Sequence, residues 1–173
     1  GRDSMYRNAP KPDTASLVTS DEFDKLSPEE EELREQLESG DISKMNIIPY
    51  SGNNMFTPLL GYITDTFNMN TNHFALDIAA PKNSAVKSIL NGTVILSTWT
   101  PENGNVLVIQ HANDFISVYK HNSALLKKLG SYVSAGEPVA LVGNTGELSS
   151  GYHLHFELWQ NGIPVNPKDF ILF

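Results

Sequence analysis

Short strand-like segments, separated by turns rich in Gly, Asn and Pro, follow one another closely through most of this chain. They are rich in β-branched and aromatic residues, which favour strands. This pattern predicts an antiparallel all-β body, because many short strands with tight turns rarely form anything else. The segments are residues 63–67, 74–79, 85–90, 93–98, 106–111, 115–121, 138–142 and 153–159.

Two local features add to this prediction. Residues 106–111 and 115–121 read as a hairpin with a three-residue loop, since apolar strands flank the turn sequence Ala-Asn-Asp. Within the body, residues 123–129 (SALLKKL) are the one stretch that predicts a turn or two of helix.

Charge divides the chain into two parts. The 173 residues suffice for one domain of ordinary size with an appendage, and their net charge is −8. Residues 1–45 hold 12 of the 20 acidic and 6 of the 12 basic residues, so residues 46–173 are nearly neutral. We therefore predict an acidic leader (1–45) and a folded domain (46–173). No basic stripe suggests a nucleic-acid partner, and the lack of cysteine excludes disulfides and thiolate metal sites.

The acidic leader contains a helix signal. Ser27 is a good N-cap, Glu30 completes a capping box, and Gly40 suits the stop, which together predict a helix over 28–38. Residues 1–20 are polar and punctuated by proline, as in a linker. The apolar stripe of the helix is thin, so the helix either docks on another surface or is mostly solvated. That stripe consists of Leu26, Leu33 and Leu37.

Two clusters of metal-ligating residues lie about 75 residues apart. His73 and Asp77 occur in NHFALDIAAP, and His153 and His155 occur in GYHLHFELW. In a strand, His153 and His155 share one face because side chains alternate. Two imidazoles and a carboxylate are a ligand set of catalytic zinc and leave one position open for water. Either motif alone is more often structural, but the two together favour a metal site.

The order of motifs resembles that of the lysostaphin/LytM-type zinc metallopeptidases, which cut peptidoglycan cross-links. The order is His-x-x-x-Asp, Tyr-x-His, a Gly-Asn-Thr-Gly turn and His-Leu-His-Phe-Glu, and the resemblance covers roughly residues 57 to 173. It implies an antiparallel two-sheet, barrel-like sandwich with a short N-terminal helical leader. It also implies one Zn²⁺ per chain.

The resemblance assigns roles to five residues. His73, Asp77 and His155 would hold zinc, and His121 and His153 would flank a zinc-bound water that attacks the scissile carbonyl. The chain has no His-Glu-x-x-His motif, so the glutamate base of thermolysin-type enzymes is absent. We therefore assign His121 and His153 jointly as base and transition-state stabiliser, with the division between them left open.

Three further residues are weaker candidates. Tyr119 would share a face with His121 and donate to the substrate or the oxyanion, although a packed strand tyrosine is the default. Glu157 continues the face of His155 and would orient a ligand ring by a hydrogen bond; a solvated or salt-bridged carboxylate is an equal alternative. Tyr152 stands where many family members have proline, so we expect it to reshape the cleft wall.

Some residues invite a functional reading that we do not adopt. His111 lies beside the predicted hairpin turn, and we expect a structural role for it. The glycines before the His-x-His are not a phosphate loop, because no lysine follows and no helix begins there. We expect positive-φ turns that line a substrate groove. These glycines are Gly143, Gly146 and Gly151.

The resemblance predicts an endopeptidase that hydrolyses peptide cross-links or stem peptides of bacterial peptidoglycan, and it favours D-Ala–diamino-acid bonds. We expect a monomer in the cell envelope, in the periplasm, anchored if at all through an upstream segment. The alternative is a non-catalytic or latent scaffold module on the same fold. In either case the leader could recruit an envelope protein or cover the cleft, and the asparagines of the connector at residues 45–60 (Asn46, Asn53 and Asn54) could offer a side-chain oxygen to the metal. The intact ligand set favours the enzyme.

Overall fold

The computed structural model describes residues 27–32 and 55–173, and in them eleven strands form two antiparallel sheets. The predicted all-β, two-sheet architecture is confirmed. None of the helices in these residues has the length and apolarity of a membrane span. The strands are β1 (Tyr62–Asp65), β2 (Leu76–Ala79), β3 (Ala85–Lys87), β4 (Gly92–Thr100), β5 (Gly104–His111), β6 (Phe115–Asn122), β7 (Ala124–Leu125), β8 (Tyr132–Val133), β9 (Pro138–Leu141), β10 (His153–Gln160) and β11 (Ile163–Val165), with 3-10 turns at Met69–Thr71 and Pro167–Asp169.

The larger sheet carries the functional residues. Its strand order is β1-β2-β10-β6-β5-β4-β8, and β11 pairs with β10 beyond this path. The smaller sheet has the order β3-β9-β7. Strand β10 therefore lies between β2 and β6, which brings three distant stretches of sequence side by side.

The apolar core covers one face of the larger sheet. In β10, Leu154, Phe156 and Leu158 are fully buried in it, while His153 and His155 point the other way. Burying the apolar half of β10 contributes about 1.5–3 kcal/mol for each large side chain. This burial fixes the strand's register, because a slip of one residue would turn the histidines into the core.

The predicted hairpin between β5 and β6 is confirmed. Its loop is residues 112–114, and both Asn113 and Asp114 adopt positive φ, at 60° and 59°. Such a pair of left-handed residues gives the turn the twist that a two-stranded hairpin needs, and Asn and Asp tolerate it best among non-glycine residues.

The helix predicted at 123–129 is wrong. Ala124 and Leu125 instead form β7, which pairs with Leu141 and Ala140 of β9. Strand pairing satisfies these backbone groups and overrides the local helix preference. The short strands β7, β8 and β11 have two or three residues each and carry no alternation by which the sequence could reveal them.

The start of the predicted leader helix is present in the structure. Residues 28–32 are helical, and the capping box forms as expected. The amide of Glu30 donates to the Ser27 hydroxyl at 3.2 Å, and the amide of Ser27 donates to the Glu30 carboxylate at 2.8 Å. The predicted linker (1–20), the later part of the helix with Gly40, and the connector asparagines lie outside the described residues.

Candidate metal centre

Strand pairing builds the centre from two motifs that are distant in sequence. In the β2–β10 pair, Asp77 lies directly opposite His155. His73 precedes β2 and is tied back by a β-bridge with Asn68, whose amide and carbonyl both bond to the His73 backbone. The structure thus brings His73, Asp77 and His155 together, with one potential ligand atom from each lying within 4.8 Å of the others.

The contacts among these three residues are direct. Nε2 of His73 lies 3.1 Å from Oδ2 of Asp77, and Nδ1 of His155 lies 3.2 Å from Oδ1 of Asp77. The three side chains keep 17%, 18% and 22% of their surface exposed, so water and a substrate can reach them. Asp65 of β1, which the sequence reading did not single out, lies 3.5 Å from His73 through Oδ2.

Hydrogen bonds on the far side of each ring set its tautomer. Nδ1 of His73 lies 2.7 Å from the carbonyl oxygen of Thr66, which can only accept, so Nδ1 carries the proton. Nε2 of His155 lies 3.0 Å from a carboxylate oxygen of Glu157 and donates to it for the same reason. In the neutral rings, the lone pairs of His73 Nε2 and His155 Nδ1 then both face Asp77.

Two nitrogen lone pairs directed at a carboxylate repel its negative charge unless a positive charge lies among them. The pKa values of His155 and Asp77 are shifted in the directions that favour such a positive charge. Burial opposes the charged form of His155, but when protonated the ring donates to both Asp77 and Glu157, which outweighs burial and raises the pKa of His155 to about 9. Burial likewise favours neutral Asp77, yet His155 and His73 hold the pKa of Asp77 below its usual value. This cluster favours a cation at its centre.

The donor set fits zinc. Two imidazole nitrogens and one carboxylate are the ligands of a catalytic zinc with one open position. Oδ1 of Asp77 is buried, and its neighbour at 3.2 Å, Nδ1 of His155, carries a lone pair in the neutral ring, so among the described residues Oδ1 accepts no hydrogen bond, as expected of an atom whose natural partner is a metal. The outer bonds from Thr66 and Glu157 are of the kind that orient metal-binding histidines.

Two further histidines, His121 and His153, lie beside this ligand set. The ring centroids of His121 and His153 are 5.1 Å apart, and those of His121 and His155 are 6.0 Å apart. Nδ1 of His121 donates to the Thr145 carbonyl at 2.8 Å, and Nδ1 of His153 donates to the Gly151 carbonyl at 2.7 Å. Each neutral ring therefore carries its lone pair on Nε2 and can accept a proton there.

His121 is nearly buried, with 4% of its surface exposed. Burial and the charges of His155 and His153 lower the pKa of His121 to about 3, against the opposing effect of the Thr145 carbonyl. His121 is therefore neutral at physiological pH. A proton that it accepts is held weakly, which suits a group that must pass the proton on.

The Gly-Asn-Thr-Gly turn holds His121 from behind. Besides its carbonyl, Thr145 donates its hydroxyl to the Asn122 carbonyl at 2.6 Å and accepts from the Asn105 amide at 3.1 Å. A side chain at Gly104, where φ is +65°, would run into Thr145. Gly104 thus allows the Gly-Asn-Thr-Gly turn to approach β5 closely. The turn in this way fixes the orientation of the His121 ring.

The prediction for the three glycines is partly right. Gly146 and Gly151 have positive φ, at 89° and 144°. Gly143 does not, and what requires glycine there is close packing, because a Cβ would collide with the backbone of Ser123.

The prediction that Tyr119 shares a face with His121 is wrong. Tyr119 is fully buried in the core and packs on Phe156, with ring centroids 5.4 Å apart. Strict alternation would place residues 119 and 121 on one face, but β6 contains a β-bulge. Asn105 of β5 pairs with Asn122 while Leu107 pairs with Tyr119, so two residues of β6 face one of β5.

Of the other candidates, Glu157 bonds a ligand ring and also belongs to an ion pair. The sequence offered a ring-orienting role and a salt bridge as alternatives for Glu157, and the structure shows both contacts. Oε2 of Glu157 accepts from Nε2 of His155 and lies 3.1 Å from Nζ of Lys120. Tyr152 is about half exposed, at 48%. Lys120 was missed by sequence reasoning, because a lysine in a strand gives no sign of a buried partner.

His111 has the structural role that its position suggested. It is fully buried, Nδ1 donates to the Asn91 carbonyl at 2.9 Å, and Nε2 lies 2.7 Å from the Ser117 hydroxyl. Burial lowers the pKa of His111 to about 4, although a carbonyl partner opposes the shift.

Comparison with known proteins places this site in a family. The sequence model of peptidase family M23 matches residues 71–167, which is more than half of the chain and includes every histidine and Asp77. The chain therefore belongs to peptidase family M23.

Two curated relatives illustrate the range of the family. The chain is 42% identical over 94 residues to the peptidoglycan DD-endopeptidase ShyA of Vibrio cholerae, a match that covers 54% of this chain and 22% of ShyA. It is 38% identical over 94 residues to the murein hydrolase activator EnvC of Escherichia coli, covering 54% of this chain and 22% of EnvC. The matched region thus spans about a fifth of the length of these relatives.

Solved structures share the fold. A peptidase M23 from Pseudomonas aeruginosa has a TM-score of 0.66 at 30% identity, covering 80% of this chain and 58% of that one. A zinc-containing peptidase from Vibrio cholerae has a TM-score of 0.59 at 32% identity, covering 66% of this chain and 38% of that one. The LytM/lysostaphin-type fold expected from the sequence is confirmed.

Proposed function

We propose that this chain is the catalytic part of a zinc-dependent endopeptidase that hydrolyses peptide cross-links or stem peptides of bacterial peptidoglycan. The observation that carries the proposal is the orientation of the ligand lone pairs. His73 and His155 are each fixed by an outer hydrogen bond so that a nitrogen lone pair faces Asp77, whose Oδ1 has no hydrogen-bond partner in the described chain. A scaffold has no need of that arrangement.

Zn²⁺ held by His73, Asp77 and His155 would lower the pKa of a coordinated water and polarise the scissile carbonyl. The chain itself supplies proton transfer. Nε2 of either His121 or His153 can accept the proton of the attacking water, because Nδ1 of each ring is already committed to a carbonyl. Once protonated, the same nitrogen becomes a donor for the oxyanion or for the leaving amine.

The substrate class rests on the relatives. ShyA is named a peptidoglycan DD-endopeptidase, and this chain is 42% identical to it over 94 residues. We infer that the D-Ala–diamino-acid cross-link is the bond cut. We infer that the protein works where peptidoglycan lies, in the cell envelope and in the periplasm. We infer that it acts as a monomer, since one chain supplies all five groups.

The second candidate is a regulatory module of the cell envelope. EnvC, named a murein hydrolase activator, matches the chain almost as well as ShyA. An activator acts through a partner and needs no turnover of its own. The acidic leader would be the natural surface for such a partner.

One experiment separates the two. The purified chain, loaded with one equivalent of Zn²⁺, is incubated with purified peptidoglycan sacculi, and the released fragments are analysed by mass spectrometry. The endopeptidase predicts new amino and carboxyl ends in stem peptides, abolished by a chelator and restored by Zn²⁺. Bound zinc with intact sacculi would favour the regulatory module.

A further inference from the structure

A chain of buried charges runs from the leader helix to the metal centre. Oε1 of Glu30 lies 3.1 Å from Nζ of Lys120, and the same ammonium lies 3.1 Å from Oε2 of Glu157. That Oε2 also accepts from Nε2 of His155 at 3.0 Å. Three contacts thus connect a residue of the leader to a predicted zinc ligand.

Glu30 makes more contacts than its capping role requires. Its Oε2 accepts from the Ser27 amide, which closes the capping box, and also from the side-chain amide of Asn103 at 2.9 Å. The carbonyl of Asn103 in turn accepts from the backbone amide of His121 at 2.9 Å. Glu30 therefore reaches the surroundings of both a ligand and a catalytic candidate.

The leader helix lies on the face of the sheet that carries the site. His155 and Glu157 share this face by alternation, and Lys120 pairs with His155 across the strands. Since Glu30 contacts Lys120, the start of the helix lies beside the ligand set on the same face. The helix is not on the opposite, core-facing side.

Burial makes these charges interdependent. The side chains of Glu30, Lys120 and Glu157 expose only 6%, 8% and 9% of their surface. Burial disfavours the ammonium, yet the two carboxylates outweigh it and raise the pKa of Lys120 above its usual value. Removing one partner of a buried ion pair leaves an uncompensated charge, which is more costly than the pair itself is favourable.

We propose that Glu30 docks the leader helix onto the face of the metal centre and is a positioning residue for His155, acting through Lys120 and Glu157. The inference rests on the metal site of the proposed function. It identifies the occupant of the surface formed by Asn103 and Lys120 as the leader of this same chain. Residues 27–32 are then part of the catalytic unit.

The mechanism is competition for one oxygen. Lys120 and His155 both contact Oε2 of Glu157, so an ammonium drawn closer to that oxygen weakens the hydrogen bond to His155. Glu30 holds Lys120 from the other side and limits this effect. Without the Glu30 charge, Lys120 would shift toward Glu157, and His155 would become a less basic and less well oriented ligand.

The test uses the full chain with two isosteric substitutions. Glu30→Gln keeps an oxygen for the Ser27 amide but removes the negative charge that faces Lys120. Glu29→Gln removes the same charge one residue away, from an exposed position of the same helix. The readout is the zinc dissociation constant, measured by competition with a chelator. Loss of an outer partner weakens metal binding by about 10–100-fold, so Glu157→Gln should reach that range, and Glu30→Gln, one step further out, should weaken binding by about 3–10-fold.

The outcomes are distinct. Zinc affinity that is weakened in Glu30→Gln and unchanged in Glu29→Gln supports the proposal, and rescue by Glu30→Asp would show that the charge matters. Equal affinities in Glu30→Gln and the unsubstituted chain would overturn it, as would equal weakening in both glutamine variants. Failure of the unsubstituted chain to bind zinc would instead overturn the proposed function.

Docking itself has a test that needs no metal. Denaturant unfolding is measured for metal-free Glu30→Gln, Lys120→Met and the double variant. If Glu30 and Lys120 are partners, their effects are not additive, because each single substitution already removes one side of the same ion pair. Additive effects would contradict docking through this pair, whatever the zinc measurements show.

Discussion

Lys120 and His121 are consecutive in β6, yet both side chains reach the face of the sheet that carries the metal centre. Lys120 lies 3.1 Å from Glu157, and the ring of His121 lies 5.1 Å from that of His153. Regular alternation would send one of them into the core. The β-bulge at this point, with His121 at a φ of +66°, turns both toward one side.

This bulge positions two functional side chains. It delivers an imidazole to the metal centre and an ammonium to the carboxylate that orients His155. A non-glycine residue with positive φ costs on the order of 1 kcal/mol or more and persists only where its surroundings hold it. Here the holders are the His121 amide, which donates to Asn103, and the ring bond to Thr145.

Replacing His121 by alanine should leave zinc binding intact and remove most of the hydrolytic activity. The ring is not among the three grouped ligands, so zinc stoichiometry should remain at one per chain. Loss of a general acid–base group lowers the rate by about 10²–10⁴-fold, and we expect kcat to fall within that range. Peptidoglycan cleavage and elemental analysis on the same sample test both parts. Normal turnover would remove His121 from the mechanism.

Gly104→Ala should damage the support of His121, and Gly130→Ala is its matched control. Both glycines have positive φ, at +65° and +85°, but a Cβ at Gly104 meets Thr145 while a Cβ at Gly130 meets nothing within 4 Å. Both variants should lose about 1–3 kcal/mol of unfolding free energy to backbone strain, and only Gly104→Ala should also lose turnover with zinc retained. Urea unfolding, metal analysis and peptidoglycan cleavage rates are measured for both variants. Equal cleavage rates in Gly104→Ala and Gly130→Ala would argue against a role of the turn in supporting His121.

Two tyrosine-to-phenylalanine substitutions test the corrected face assignment. Tyr119 is fully buried in the core and faces away from the site, whereas Tyr152 is exposed just before β10. Tyr119→Phe should therefore leave kcat and KM unchanged. Tyr152→Phe should raise KM if its hydroxyl contacts the substrate. A loss of kcat in Tyr119→Phe, at unchanged zinc content, would contradict the core assignment.

His111 should make the protein sensitive to acid independently of the metal. Its pKa is about 4 when folded and about 6.5 when unfolded. The unfolded chain then binds the proton first as the pH falls, so the stability from neutral His111 is complete above about pH 6.5 and is lost towards pH 4. The loss over this window is about 3 kcal/mol.

The measurement is urea unfolding in excess chelator for the unsubstituted chain and His111→Gln, at pH 7 and near pH 4.5. All other titrating groups are common to both proteins. The stability advantage of the unsubstituted chain should therefore shrink as the pH falls, and a difference that does not change with pH would contradict the linkage.

Local patterns allowed much of this architecture to be predicted. Alternation in HLHFELW placed His153 and His155 on one face, and the capping box at Ser27 and Glu30 formed as written in the sequence. Contacts set by tertiary packing could not be read in this way. The register that puts Asp77 opposite His155 depends on the pairing of strands about 75 residues apart.

The failures have related causes. Tyr119 was placed on the wrong face because the bulge at Lys120 and His121, where His121 has a φ of 66°, leaves no signature in the sequence. β7 was taken for helix because two residues are too few to show a period. The two buried partners of Lys120 are Glu30, 90 residues earlier in the chain, and Glu157 on another strand, and no local pattern connects either of them with Lys120.

In the function that we propose, His73, Asp77 and His155 hold one catalytic zinc. The most direct test of this proposal is elemental analysis of the purified full chain beside Asp77→Asn, which keeps the shape of the side chain but removes its charge, each followed by digestion of peptidoglycan sacculi. We predict one zinc per unsubstituted chain with new stem-peptide ends, and loss of both in Asp77→Asn. Cleavage that persists in the metal-free protein, or one zinc still bound by Asp77→Asn with cleavage intact, would contradict the account.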